Sequence, residues 1–100
     1  MKLKNFILRG KNGWCPEDTW NLDCYLAKVI SETTAYLAKT THGAPIGVSS
    51  KGWKKILKQI SKDIVIKDDV LSSTKKSQRA YKKRQEALEL FVKYFNFLWD

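Results

Sequence analysis

The chain reads as a single all-α domain (residues 1–100) of three main helices, at about 16–40, 50–64 and 74–98, with an irregular N-terminal segment (1–14) packed on them. Three observations predict this class. Apolar residues recur at helical spacing in all three stretches. Breaker-rich or aperiodic residues separate the stretches. A length of 100 residues, 43% hydrophobic and 29% charged, suits one ordinary core and is neither a disordered chain nor two domains.

The N-terminal segment offers Phe6, Ile7, Leu8 and Trp14 as the side chains that would pack it down. The first helix opens at Pro16, whose missing N–H would be orphaned there anyway, with Glu17 and Asp18 complementing the helix dipole. Leu22, Leu26, Val29, Ile30, Thr33, Tyr36 and Leu37 form a broad apolar stripe, beside a strip of small residues including Cys24, Ala27, Ser31, Thr34, Ala35 and Ala38. A helix apolar on one side and small on the next is expected to be central, with neighbours on both sides. It should stop near Thr40, before the breaker-rich run Thr41–Gly47.

The second helix has an N-cap at Ser49 or Ser50. Its pattern is the cleanest in the chain. Trp53, Ile56, Leu57, Ile60 and Ile64 fall on one face, and Lys51, Lys54, Lys55, Lys58 and Lys62 on the other. Residues 65–74 break the period and read as a connection, with Asp68, Asp69, Ser72, Ser73 or Thr74 available as caps. The third helix carries Tyr81, Leu88, Phe91, Val92, Phe95, Leu98 and Trp99 on its main apolar stripe, with Lys75, Lys76, Arg79, Lys82 and Lys83 on the reverse face. A second stripe, Leu90, Tyr94 and Phe97, makes the helix end apolar nearly all round; it is either sandwiched in the domain or a homodimer or partner interface. Arg84 falls within the apolar stripe, where an unpaired guanidinium would be costly. It is expected to pair with Asp23 or Asp18, or to stack on a Trp.

The charge is +9 overall and uneven: residues 1–50 hold six Lys/Arg against four Asp/Glu, residues 51–100 thirteen against six. That asymmetry favours a polyanionic partner, nucleic acid or an acidic protein, over a neutral one. A solvated lysine coat is the competing explanation. Ten residues form the expected binding surface: Lys51, Lys54, Lys55, Lys58, Lys62, Lys75, Lys76, Arg79, Lys82 and Lys83. The second helix lacks Asn, Gln or Arg readers near its start, so backbone or RNA binding is expected rather than base readout.

Enzymatic chemistry has little to work with. His42 is the only histidine and sits in a Gly/Pro loop, where a positioning hydrogen bond is its expected role. Asp18 and Asp23 lack a third metal ligand at a suggestive spacing. There is no phosphate loop, Cys-x-x-Cys pair or metalloprotease motif. No catalytic residue, metal or cofactor is expected. Cys15 and Cys24 are too far apart for a disulfide if residues 16 onward are helical, so both thiols should be reduced. No apolar run suits a signal peptide or a membrane span, and a cytoplasmic location follows as an expectation.

Three stretches, Arg9-Gly10-Lys11-x-Gly13-Trp14-Cys-Pro-Glu-Asp18-Thr-Trp20-x-Leu22-Asp23-x-Tyr25-Leu26-Ala27, then Thr41-His42-Gly43-x-Pro45 with Trp53, then Leu90-Phe91-x-x-Tyr94-Phe95-x-x-Leu98-Trp99-Asp100, carry a resemblance across most of the chain. The pattern resembles a family of small, mostly uncharacterised bacteriophage and prophage proteins. This chain departs from it in being basic between Trp53 and the last helix and in having Ala44 where an aromatic is usual. The resemblance brings no known activity with it. It implies a phage accessory protein in the cytoplasm of the bacterial host, binding a host protein or nucleoprotein machine, with inhibition of a defence system as the expected role. Direct sequence-independent nucleic-acid binding and a virion or assembly component are the alternatives.

Overall fold

The structure, a computed structural model, describes residues 2–67 and 74–99. Its elements are α1 (Leu3–Asn12), a 3₁₀ turn (Pro16–Thr19), α2 (Leu22–Thr40), α3 (Ser50–Asp63), α4 (Thr74–Lys93) and a second 3₁₀ turn (Phe95–Phe97). The all-α class holds, and no strand occurs among the described residues. The caps expected at Asp68, Asp69, Ser72 and Ser73 lie outside the described residues.

The centre of the domain is built on α3. Ser49 caps it, its side chain accepting from the Gly52 N–H at 3.0 Å. Trp53, Leu57, Ile60 and Ile64 are among the largest fully buried side chains of the protein. Each contributes about 1.5–3 kcal/mol by leaving water. At one end Trp53 and Leu57 pack with Ala38, Leu37, Tyr94 and Leu98; at the other Ile64 packs with Ala27, Ala87, Ile30 and Leu88. These contacts fix the directions. Ser31 meets Ser61 and Ala38 meets Leu57, so α3 runs antiparallel to α2. Asp23 meets Arg84, and Leu37 shares a groove with Phe91, so α4 runs parallel to α2.

The helix pair α2–α3 corrects one expectation. The side of α2 that meets α3 is the strip of small residues: Ala27, Thr34 and Ala38 are buried, whereas Leu22, Leu26, Val29 and Tyr36 are exposed. Small side chains let the α3 backbone approach, and the large residues of α3 fill the space. Reciprocal hydrogen bonds mark the crossing: Ser31 Oγ donates to the Ser61 carbonyl at 2.7 Å, and Ser61 Oγ to the Ser31 carbonyl at 2.6 Å. Along most of its length α2 therefore has a neighbour on its small side and solvent on its large one.

The N-terminal region also differs in how it is held. Phe6, Ile7 and Trp14 are exposed, and of the expected anchors only Leu8 is half-buried. A polar lock replaces them. Asp18 is buried, accepts from the Cys15 backbone N–H at 2.8 Å and from Arg9 Nε at 3.2 Å, and forms an ion pair with the same guanidinium. The Tyr25 hydroxyl donates to the Gly13 carbonyl, and its ring lies 5.5 Å from the Arg9 guanidinium carbon. Gly13, at φ 81°, ends α1 in the left-handed conformation that glycine adopts without steric cost. Because Asp18 folds back on Cys15, residues 16–19 close a 3₁₀ turn, and α2 starts at Leu22 rather than at Pro16.

The resulting molecule is flat, 45 × 39 × 19 Å, about two helix diameters thick. Its radius of gyration, 15.4 Å, exceeds the value of about 13 Å usual for 100 residues.

Candidate functional site

The basic residues of the second half converge at one place. Lys62 near the end of α3, Lys67 just beyond it, and Lys76, Arg79 and Lys83 on α4 line a cleft of ≈ 280 Å³ whose other walls are Asp63, Val65, Ile66 and Ala80. Lys76, Arg79 and Lys83 reach it together because they are spaced i, i+3, i+7 on one helical face. The antiparallel packing of α3 and α4 brings Lys62 opposite them. Among the described residues, five cations surround a partly apolar floor with one carboxylate. None of the five is ion-paired among the described residues.

The remaining expected site residues extend this surface without entering the cleft. Lys51, Lys54, Lys55 and Lys58 continue the Lys62 row up α3, a line of about 17 Å at 1.5 Å per residue. Lys54 is half-buried and the other three are exposed. Lys75 and Lys82 are exposed on the flank of α4. Lys67 belongs to the cleft although the sequence assigned it to a connection. Its signal was simple proximity in the chain to Lys62, five residues away.

The N-terminal end of α4 favours an anion here. The first turn of α4 contains no acid and begins Thr74-Lys75-Lys76, so lysines stand at the positive end of the helix dipole. Charges of that sign at that end destabilise a helix by about 0.3–1 kcal/mol each. A bound polyanion would reverse the penalty. The C-terminal end of α3 also borders the cleft; its negative pole opposes an anion, and Lys62 in the last turn offsets it.

Arg84 stands at the edge of this surface but belongs to the fold. Its side chain is 15% exposed; Nε donates to the Ile64 carbonyl at 2.8 Å and NH1 lies 3.4 Å from Asp23 Oδ2. The nearest ring is Tyr81, 6.0 Å to its centroid, not a Trp, and Asp18 is engaged by Arg9 instead. Arg84 thus ties the end of α3 to α4 and α2.

The pairing surface expected at Leu90, Tyr94 and Phe97 does not form as a unit. Tyr94 packs edge-on against Trp53 with centroids 5.4 Å apart, and Leu90 is half-buried. The helix breaks at Tyr94 (φ −107°, ψ 16°), so Phe97 leaves the α-helical register and is exposed. Val92, Phe95 and Trp99 stand exposed instead.

Among the described residues no three His, Cys, Asp or Glu side chains cluster to hold a metal. Cys15 is buried and Cys24 exposed, both as free thiols. His42 is exposed in the 41–49 loop. No helix among the described residues is long and apolar enough to cross a membrane. Comparison with protein-family models, curated proteins and solved structures gives no match.

Proposed function

We propose that this protein is a non-enzymatic binding protein of phage origin that docks on the phosphate-bearing surface of a bacterial nucleoprotein machine, and that it works by inhibiting a host defence system. The observation that carries the reading is the convergence of Lys62, Lys67, Lys76, Arg79 and Lys83 around one cleft with, among the described residues, a single carboxylate. A lysine coat needs only dispersed charges, whereas this cluster is focused and set against apolar walls. The α3 lysine row extends it into a track that suits a nucleic-acid backbone. Lysine-dominated contacts of this kind position a partner without reading its sequence. The resemblance to small phage proteins supports the host setting, and the bacterial cytoplasm is the compartment in which such a partner is met.

Binding of the purified protein to duplex DNA, single-stranded DNA and RNA across a salt series tests the proposal. If all five cleft cations neutralise duplex phosphates, the log–log salt slope is about −4.5. The triple variant Lys76→Glu, Arg79→Glu, Lys83→Glu should abolish binding to every probe. Absence of binding to all probes by the unsubstituted protein refutes docking on phosphate.

A further inference from the structure

We infer that the outer face of α1 rests in the surface of an anionic phospholipid bilayer, as an in-plane amphipathic helix. The inference is independent of the basic cleft. It starts from the polar lock, which fixes how α1 is turned. Asn5 is buried, and Leu8 and Arg9 are half-buried, on the side that meets the domain. At about 100° per residue, Leu3, Phe6 and Ile7 fall within about 100° of one another on the opposite side. They are exposed to 74%, 67% and 52%. Trp14, 49% exposed, follows directly after the glycine that ends the helix. Contiguous apolar exposure of this kind marks an interaction surface.

The charge around the stripe is of one sign. Residues 2–14 contain Lys2, Lys4, Arg9 and Lys11 and no Asp or Glu. Asp18 neutralises Arg9 from the inner side, whereas Lys2, Lys4 and Lys11 are exposed and have no ion pair among the described residues. Lys4 and Lys11 share one edge of the stripe, about 50° beyond Ile7 around the helix. Their stems can lie along the apolar neighbours while the ammonium groups reach out to phosphate. An apolar stripe bordered by lysines, with a Trp beside it, suits the boundary between headgroups and acyl chains. Its charge complements the negative potential of an anionic leaflet.

Spacing selects a bilayer over a protein groove. A helix held in a groove anchors at i, i+3 or i+4, and i+7. Counted from Leu3, the i+7 position is Gly10, which has no side chain to insert. The far half of the helix therefore offers a groove no apolar anchor. A second copy of the chain would bring the same unpaired lysines to the contact and be repelled. A bilayer takes a short apolar patch at a depth of about 5–10 Å and needs no matching shape. Lys4 and Lys11 meet lipid phosphate wherever they emerge.

Flotation of the full chain with vesicles tests the inference, using phosphatidylcholine alone and phosphatidylcholine mixed equally with phosphatidylglycerol. The protein should float with the mixed vesicles and stay behind with the neutral ones. Phe6→Ser with Ile7→Ser keeps the net charge and should lower partitioning at least about tenfold, with helicity unchanged by circular dichroism. The same change at Leu22 and Leu26, on the exposed side of α2, should leave partitioning intact. A second readout separates insertion from cationic adhesion. In a Cys24→Ser background, where Cys15 is buried, an environment-sensitive dye on Ile7→Cys should shift to the blue on mixed vesicles. The dye on Lys51→Cys should not. Failure to float with the mixed vesicles overturns the inference and leaves the face to a protein. So do equal flotation with both vesicles, a Phe6, Ile7 variant that floats undiminished, or a dye at Ile7 that shifts no more than one at Lys51.

Discussion

Helices α2 and α3 lie against each other yet spend their apolar residues in opposite ways. Helix α3 buries its largest side chains, Trp53, Leu57, Ile60 and, just past its end, Ile64, and exposes lysines. Helix α2 buries Ala27, Thr34 and Ala38, and exposes Leu22, Leu26, Val29 and Tyr36. The difference teaches that a helix's most apolar face need not be the one it gives to its own core. In α2 the fully buried positions are small, because close approach of α3 needs room, while Ile30 and Leu37 pack half-buried at the edges of the contact. The large residues left outside are then a surface, as the lysines of α3 are.

Substitutions can break this contrast, and the largest effect belongs to α3. Leu57→Ala should cost about 2–5 kcal/mol, since it empties a fully buried site at the centre of the core. Leu26→Ala, the same chemical change on α2, should change the stability of the monomer by no more than about 0.5 kcal/mol. Urea denaturation at a low concentration of protein measures both; equal losses would erase the distinction between the two faces.

A small-to-large change probes the inward side of α2. Ala38→Leu should destabilise by about 1–3 kcal/mol, because Ala38 is buried against Trp53 and Leu57 with no space for added methylenes. Tolerance of leucine there would mean that α2 and α3 are not held in close contact. The serine pair sharpens the same point on a smaller scale. Ser31→Ala should cost about 0.5–1.5 kcal/mol by removing a hydrogen bond across the crossing.

The polar lock adds a pH dependence. The hydrogen bond and charge of Arg9, helped by the Cys15 N–H, hold the Asp18 carboxyl below its ordinary value of 3.8 against the opposing effect of burial. A carboxylate lowered on folding stabilises the native state above its unfolded value and loses that contribution as pH falls through the folded one. The lock should therefore weaken only below about pH 4. Asp18→Asn should remove this portion of the acid sensitivity while leaving the α3 core intact, as followed by acid titration of Trp fluorescence and helicity.

Much of this was legible in the residues. The α3 pattern places its buried and exposed faces correctly because large apolar and cationic residues separate cleanly by helical period. Ser49 as the cap and the end of α2 near Thr40 follow from local chemistry. The N-terminal helix was not legible: Lys2 supplies no side-chain cap and the apolar residues Leu3, Phe6 and Ile7 are spent on solvent. Its anchor, Asp18, serves the fold through contacts nine and three residues back, which periodicity does not register. The inversion of α2 was hidden for a related reason, since both of its sides satisfy a helical pattern and only the partner decides between them. In the binding surface, residue type marked the cations, but the antiparallel meeting of α3 with α4 decided which of them share a cleft.

The cleft is the central claim, and the salt dependence of single substitutions tests it most directly. Neutralising one phosphate-contacting lysine should lower the magnitude of the log–log salt slope on duplex DNA by about one. Lys83→Gln, inside the cleft, should show that loss, and Lys51→Gln, at the far end of the α3 row, should show much less. Equal losses at the two positions would mean an undirected lysine coat and would contradict a focused site.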